Sequence, residues 1–284
     1  MITGRTRVFG LLGHPVRHSL SPAMHNELFR QCGVDAVYVT FEIDPANADS
    51  VGQAVRTLGL AGANLTVPFK ERILPALDVL GSEARVCGAV NVVVRRADGA
   101  LVGHNTDGIG WRDALQAELG LGLAGEDVAI LGAGGTGRAI AAAAAEAGAA
   151  SVTLYNATMA RAEGAVTTLA PHFPGTRFHA VHLDPAAFAL RAPAHTRVVN
   201  CTSGGAAPFL DTFPVDDLPP GSLWSDVNYW MADPPRLAAC ARRGLRIQRG
   251  IGMLIHQGAL SFEHFTGVRV SHETLRGVLD IGGW

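Results

Sequence analysis

The chain is poor in cysteine, in charge and in long apolar runs. Its four cysteines, Cys32, Cys87, Cys201 and Cys240, are scattered over 284 residues. None forms a CxxC pair, which argues against a zinc ribbon or a thioredoxin-type motif and fits a reducing compartment. Charged residues make up 17% and the formal net charge is -2. No global field therefore draws the protein to nucleic acid or to an anionic membrane, and the dispersed basic residues leave no nucleic-acid footprint. The first apolar stretch, Val8 to Leu12, is interrupted by His14 and Arg17. It is too short for a secretory signal and far too short to span a bilayer, so the cytoplasm is the expected location. No G-x-S-x-G elbow accompanies Ser203, which excludes a typical serine hydrolase, and HExxH is missing. His14 and His18 are separated by a proline, and His179 and His182 fall on a predicted strand where i and i+3 face opposite sides. No metal site is expected from this pattern.

Glycine, by contrast, is abundant, 34 residues against a usual share of about 7%. Many tight turns and close backbone approaches are expected. The first hundred residues alternate short apolar runs with helical patterns. Strands are predicted over 7–12, 36–43 and 61–67, with helices over 22–32, 47–58 and 68–80. Such alternation argues for parallel pairing in an α/β layer. Pro22 and Pro68 each sit where a first helical turn begins. The pair Asp98-Gly99 between 91–96 and 100–104 signals a hairpin.

An amphipathic helix over 106–119 is expected to bridge two domains, with the glycine-rich stretch 119–126 at the boundary. A second βαβ series has strands over 127–131, 151–155, 177–183, 197–200, 222–227 and 245–248. The alanine-rich stretch 139–150 reads as a helix with a small-residue face. Two last helices, 251–265 and 271–279, follow the series and are free to pack back on the first domain. The expected fold is α/β: an N-terminal substrate-binding domain, residues 1–106 completed by 251–284, and a bridging helix with a Rossmann domain, residues 107–250, separated by an active-site cleft.

Gly132-Ala133-Gly134-Gly135-Thr136-Gly137 joins a predicted strand to a helix. Gly132 permits the tight turn, Gly134 lets backbone approach a pyrophosphate, and Gly137 allows close helix–strand packing. The helix start offers free N–H groups and a positive dipole end to phosphates. A standard NAD site carries an acid at the end of the second strand, about twenty residues on. This strand instead ends Tyr155-Asn156-Ala157-Thr158, with Arg161 following. Asn156, Thr158 and Arg161 can meet a 2′-phosphate, and only Arg161 supplies charge.

Four segments place polar groups at strand-to-helix junctions, where α/β sites form. Ser19 and Ser21 sit just ahead of a helix and can receive a carboxylate; the alternative is that Ser21 is merely an N-cap. Lys70, in Asn64-Leu-Thr66-Val-Pro68-Phe-Lys70, lies in a first helical turn, where its charge meets the positive end of the dipole. So poor a placement invites a functional explanation, proton transfer. The others are Gly88-Ala-Val-Asn91 and Asn105-Thr-Asp107. If Asp107 faces Lys70, the two form an acid/base pair.

These segments, with Gly132-Ala-Gly134-Gly135, Asp226-Val-Asn-Tyr229 and Gly250-Ile-Gly252-Met-Leu-Ile-His-Gln257-Gly258, resemble the shikimate dehydrogenase family through nearly the whole chain, in order. The resemblance implies an NAD(P)-dependent oxidoreductase that reduces 3-dehydroshikimate to shikimate in aromatic amino-acid (chorismate) biosynthesis. It implies that Lys70 and Asp107 are the catalytic pair at the C3 oxygen. It further implies that Ser19, Ser21 and Tyr229 hold the carboxylate, and that Asn64, Thr66, Asn91 and Gln257 meet ring hydroxyls, the attacked oxygen or the lysine. Gly250 joins the glycine loop in holding the dinucleotide. The partners implied are small molecules, with neither nucleic acid nor membrane, and the chain as monomer or homodimer.

Two segments depart from that pattern. Members using NADP read Asn-Arg-Thr where this chain reads Asn156-Ala157-Thr158. The missing guanidinium removes charge-assisted contacts of about 1.5–3 kcal/mol. NADP is the family default, and Ala157 makes NAD use plausible. The segment from Cys201 to Ala206 also differs, which leaves open a paralogue acting on quinate or an amino-shikimate-like acid. A sensor of the same fold that has lost catalysis is a further reading, disfavoured by the intact Lys70 and Asp107.

Overall fold

Two separate apolar patterns in the chain build two separate sheets. The structure, a computed structural model, describes residues 1–203, 207–230, 235–271, 274–275 and 277–278. It divides into two compact units, residues 1–110 with 255–284, and residues 111–254.

The first unit carries a six-stranded mixed sheet in the order β2-β1-β3-β5-β6-β4. Its strands are β1 (Arg7–Gly13), β2 (Ala36–Glu42), β3 (Gly62–Leu65), β4 (Val79–Leu80), β5 (Val92–Arg95) and β6 (Leu101–His104). β1 pairs in parallel with β2 and β3. The β5–β6 hairpin then adds antiparallel to β3, so the expectation of parallel pairing fails at this end of the sheet. The hairpin turn is closed by Gly99, whose φ of +89° favours glycine, and by the Asp98 carboxylate accepting from the Ala100 N–H. The helices are α1 (Ser21–Gln31), α2 (Val51–Thr57), α3 (Phe69–Arg72) and α4 (Ser82–Cys87).

The predicted helix over 68–80 is only one turn long. Pro75 lacks the N–H that a continuing helix needs; the chain passes through a 3-10 turn, Leu74–Ala76, and ends as β4. Residues 47–58 form a 3-10 turn followed by α2 rather than one helix. Leu12, Val55, Leu65, Phe69, Ile73, Val90 and Val93 fill the core beneath these elements.

The second unit is a six-stranded sheet of β7 (Asp127–Leu131), β8 (Ser151–Asn156), β9 (Arg177–His182), β10 (Arg197–Asn200), β11 (Leu223–Asp226) and β12 (Arg246–Gln248). Every described pairing is parallel. Spatial order is β9-β8-β7-β10-β11-β12, the 3-2-1-4-5-6 arrangement of dinucleotide-binding sheets. The central strands are buried along almost their full length, as strands covered on both faces must be. α5 (Asp107–Leu119) leads toward the sheet, and α6 (Gly135–Glu146) follows β7. Ala139, Ile140, Ala141, Ala143, Ala144 and Ala145 of α6 are buried; small side chains let the helix lie close to the strands. α7 (Met159–Leu169), α8 (Pro185–Ala189), α9 (Ala207–Leu210) and α10 (Pro235–Arg242) complete the βα repeats.

The last long helix is α11 (Gly250–Thr266). Residues 272, 273, 276 and 279 of the predicted final helix, and 204–206 of the unusual segment after β10, lie outside the described residues. Among the described residues no helix is long and apolar enough to cross a membrane.

Candidate active site

The C-terminal ends of β1 and β3 lie side by side, Leu12 opposite Leu65. Thr66 N–H donates to Leu12 O at 3.0 Å and His14 N–H to Val67 O at 2.8 Å. Ser19, Ser21, Asn64, Thr66 and Lys70 therefore issue from neighbouring strand ends of one sheet. Leu20, not Ser21, is the N-cap of α1 and makes no side-chain cap. Ser21 lies inside the first turn, buried, with its N–H on the Ser19 hydroxyl at 3.2 Å.

Lys70 Nζ lies 2.5 Å from Asp107 Oδ2. The side chains are 14% and 4% exposed, so solvent screens the pair weakly. α3 presents the lysine and is tied to the loop before β5 by the Val90 N–H on Lys70 O, 2.8 Å. Asp107 opens α5, and its N–H is capped by the Asn105 side chain at 3.0 Å. Asn105 is itself anchored to Ala89 O at 3.0 Å.

Asn91 holds the centre. Its Nδ2 lies 2.8 Å from Asp107 Oδ1, 2.9 Å from Thr106 Oγ1 and 3.3 Å from Gln257 Oε1. Two amide hydrogens cannot serve three acceptors. The longest contact, to Gln257, is the one most readily exchanged for a ligand hydroxyl. Asn91 Oδ1 accepts from the Thr106 N–H at 2.8 Å. Asn64 spends both N–H groups inside the protein, on Asn91 O and on Ser261 Oγ, each at 3.0 Å. Its oxygen accepts from the Tyr38 hydroxyl at 2.8 Å. Asn64 can therefore meet a ligand only as an acceptor.

Three members of this network escape sequence reasoning: Tyr38, Thr106 and Ser261. Ser261 is fully buried, lies 3.3 Å from Thr106 Oγ1 and donates to Gln257 O. Its one sequence signal is its spacing four after Gln257, which puts both on one face of α11. His25 stacks on Tyr38, ring centroids 4.4 Å apart. Complete burial holds its pKa down at about 3, so the ring is neutral.

In the second unit, Gly132 has a φ of +108°, and a Cβ there would lie 2.9 Å from Cys201 O. A Cβ at 137 would strike Gly132 O, and one at 250 would strike Val227 O. Gly134 is the N-cap of α6 and brings no side-chain cap, which leaves the helix start to a ligand. The Ala133 N–H donates to Asn156 Oδ1 at 3.1 Å, and Asn156 Nδ2 to Thr158 O at 3.0 Å. Arg161 on α7 brings a guanidinium nitrogen to 3.9 Å from where a Cβ of residue 134 would stand. Arg138 Nε is 3.4 Å from Ala133 O. A glycine cradle without side chains, an uncapped helix start and two adjacent cations fit a dinucleotide pyrophosphate. Thr136 is the second residue of α6. Tyr229 follows β11, its ring edge-on to Trp230 at 5.3 Å. Buried Asp226, its pKa raised by burial, accepts from Asn200 and Asn228 and fixes the β10 and β11 ends.

The chain matches the shikimate dehydrogenase substrate binding domain over residues 11–93 and the shikimate 5'-dehydrogenase C-terminal domain over residues 250–279. It is 42% identical over 287 aligned residues to shikimate dehydrogenase (NADP(+)) of Geobacter sulfurreducens, covering 98% of this chain and 97% of that one. Among solved structures it resembles shikimate 5-dehydrogenase from Listeria monocytogenes in complex with shikimate and NAD. That match has a TM-score of 0.84 at 34% identity and covers 98% of each chain. Quinate dehydrogenase from Corynebacterium glutamicum in complex with NAD also matches, with a TM-score of 0.84 at 28% identity over 97% of this chain and 99% of that one. The order of its strands, its polar network and its likeness along nearly its whole length agree: the chain belongs to the shikimate dehydrogenase family.

Proposed function

We propose that this protein catalyses the reversible NAD(P)-dependent reduction of 3-dehydroshikimate to shikimate. The observation that carries the reading is the shielded Lys70–Asp107 pair, 2.5 Å apart, inside a net of neutral amides and hydroxyls. A polyhydroxylated ring needs several neutral partners in fixed directions and one charged pair for proton transfer. The dinucleotide, when bound, supplies or accepts the hydride. Lys70 donates a proton to the C3 oxygen as the ketone is reduced and takes it back in the reverse direction. Asp107 orients the ammonium and balances its charge. Ser19, Ser21 and Tyr229 receive the carboxylate. Asn64 accepts from a ring hydroxyl, and Thr66, Asn91 and Gln257 complete the hydroxyl contacts. Residues 132–137, Asn156, Thr158, Arg161 and Gly250 hold the dinucleotide. Few, scattered cysteines with no CxxC pair support a reducing compartment, the cytoplasm.

Reduced-nicotinamide absorbance with shikimate and either dinucleotide tests this reading. Turnover is expected in the wild type, and Lys70→Ala should lower kcat by about 10²–10⁴-fold, the usual worth of a general acid–base group. Dinucleotide binding without turnover on shikimate or quinate would sink it in favour of a sensor. One observation favours a second reading, an NAD-using quinate/shikimate dehydrogenase: exposed Ala157 stands where a guanidinium is expected. Shikimate and quinate, each assayed with NAD and NADP, separate the two.

A further inference from the structure

One cluster of ligating side chains lies apart from the Lys70 network. Glu83 on α4, His104 at the end of β6 and His264 in the last turn of α11 bring a carboxylate oxygen and two imidazole nitrogens within 4.8 Å of one another. His104 Nδ1 is 2.8 Å from Glu83 Oε1. The His104 and His264 rings face each other, centroids 3.9 Å apart and planes 21° from parallel. Glu83 and His104 are half-buried and His264 is exposed, so the cluster opens to solvent on one side.

A second observation concerns Gly81. A Cβ there would lie 2.5 Å from Glu83 Oε1 and 2.6 Å from His104 Nδ1. Gly81 has φ -61° and ψ 160°, a conformation open to any residue. Space beside the two donor atoms, rather than backbone geometry, is what bars a side chain at 81.

We propose that Glu83, His104 and His264 form a binding site for a first-row divalent cation, Zn2+ foremost. Two imidazoles and one carboxylate are a borderline-soft donor set of the kind zinc takes, whereas calcium and magnesium require more oxygens than the cluster offers. Zinc binds nitrogen and carboxylate oxygen at about 2.0–2.2 Å, so tetrahedral ligand atoms stand roughly 3.3 Å apart. The cluster needs a contraction of about 1–1.5 Å at its widest. The exposed His264 provides it by turning its ring edge toward the Glu83–His104 pair, a fast motion for a surface side chain. His104 ligates as the neutral imidazole through one ring nitrogen and keeps its hydrogen on the other, and water fills the fourth position. The bound cation ties α11, which carries Gln257 and Ser261, to the strand that runs directly into Asn105, Thr106 and Asp107. It acts as a clamp on that junction and takes no part in the reaction.

Calorimetric titration of the metal-stripped full-length chain with ZnCl2 tests the site. One Zn2+ per chain and a raised melting temperature are expected. His264→Ala and Glu83→Gln should each weaken binding by at least about tenfold, a loss that even outer-shell changes inflict on metal sites. His182→Ala, which removes another exposed histidine–carboxylate pair, should leave binding unchanged. Co2+ should develop tetrahedral visible absorption that His264→Ala abolishes. Absence of Zn2+ binding, or binding equally strong in His264→Ala, overturns the proposal. So does a loss in His182→Ala matching that in His264→Ala.

Discussion

Substituting Ala157 by arginine probes the most informative single departure from the family pattern. Ala157 is exposed at the turn between β8 and α7, so the change carries little packing cost. Ala157→Arg is expected to raise kcat/KM for NADP relative to NAD by about ten- to a hundredfold, from 1.5–3 kcal/mol of charge-assisted contact. An unchanged ratio, or a wild type already favouring NADP by more than about a thousandfold, contradicts this account.

His25 gives a pH signature. Its folded pKa is depressed to about 3 from 6.5, so the unfolded chain binds the proton first. Stability is therefore full above the unfolded value and falls as pH drops below it, by about 1.4 kcal/mol per pH unit. His195, lowered to about 4 by burial, adds a slope of the same sign. Denaturant midpoints measured between pH 6.5 and 5 should fall in the wild type and fall less in His25→Leu; equal slopes in both refute the assignment.

α11 shows what a helix can hide from sequence reading. The helix itself is legible in the sequence, but the place of Ser261 is not. A serine in an apolar run, Ala259-Leu-Ser261-Phe, reads as a small neutral residue until Asn64, 197 positions away, is found on its hydroxyl. Ser261→Ala should leave Asn64 with an unsatisfied buried N–H, costing about 1–3 kcal/mol of stability. If Asn64 meets a ring hydroxyl as proposed, the change should also raise KM for shikimate more than it lowers kcat. Unchanged stability and KM would show that Ser261 merely fills space. The β5–β6 hairpin was legible from Asp98-Gly99, a local turn signal. The broken helix after Pro68 is not legible, because the helical pattern over 68–80 hides the stop that Pro75 imposes. α4 is not legible either: six residues carry too little periodicity. The Glu83–His104–His264 cluster was invisible for a different reason, since its members are far apart in sequence and share no motif spacing.

At the scale of the molecule, the second unit is continuous in sequence while the first is assembled from both ends of the chain. Phe262 and Phe265 from the returning segment pack against Phe29 and Phe9. A chain ending at residue 254 should lose the shikimate-induced rise in melting temperature while keeping a dinucleotide-induced rise. A retained response to shikimate would contradict the contribution of α11. Sequence patterning leaves the segment after residue 250 free of the βαβ series, which is complete before it. It could not foresee the antiparallel insertion, which depends on tertiary pairing.

The long reach of the Asn91–Gln257 hydrogen bond, 166 positions, has a meaning in time. On a ribosome adding about 5–20 residues per second, roughly 10–30 s pass between the synthesis of Asn91 and the arrival of its partner. Through that interval the dinucleotide sheet can close while the amide cluster waits. On the proposed role of Gln257, competence to turn over substrate waits for α11 to emerge.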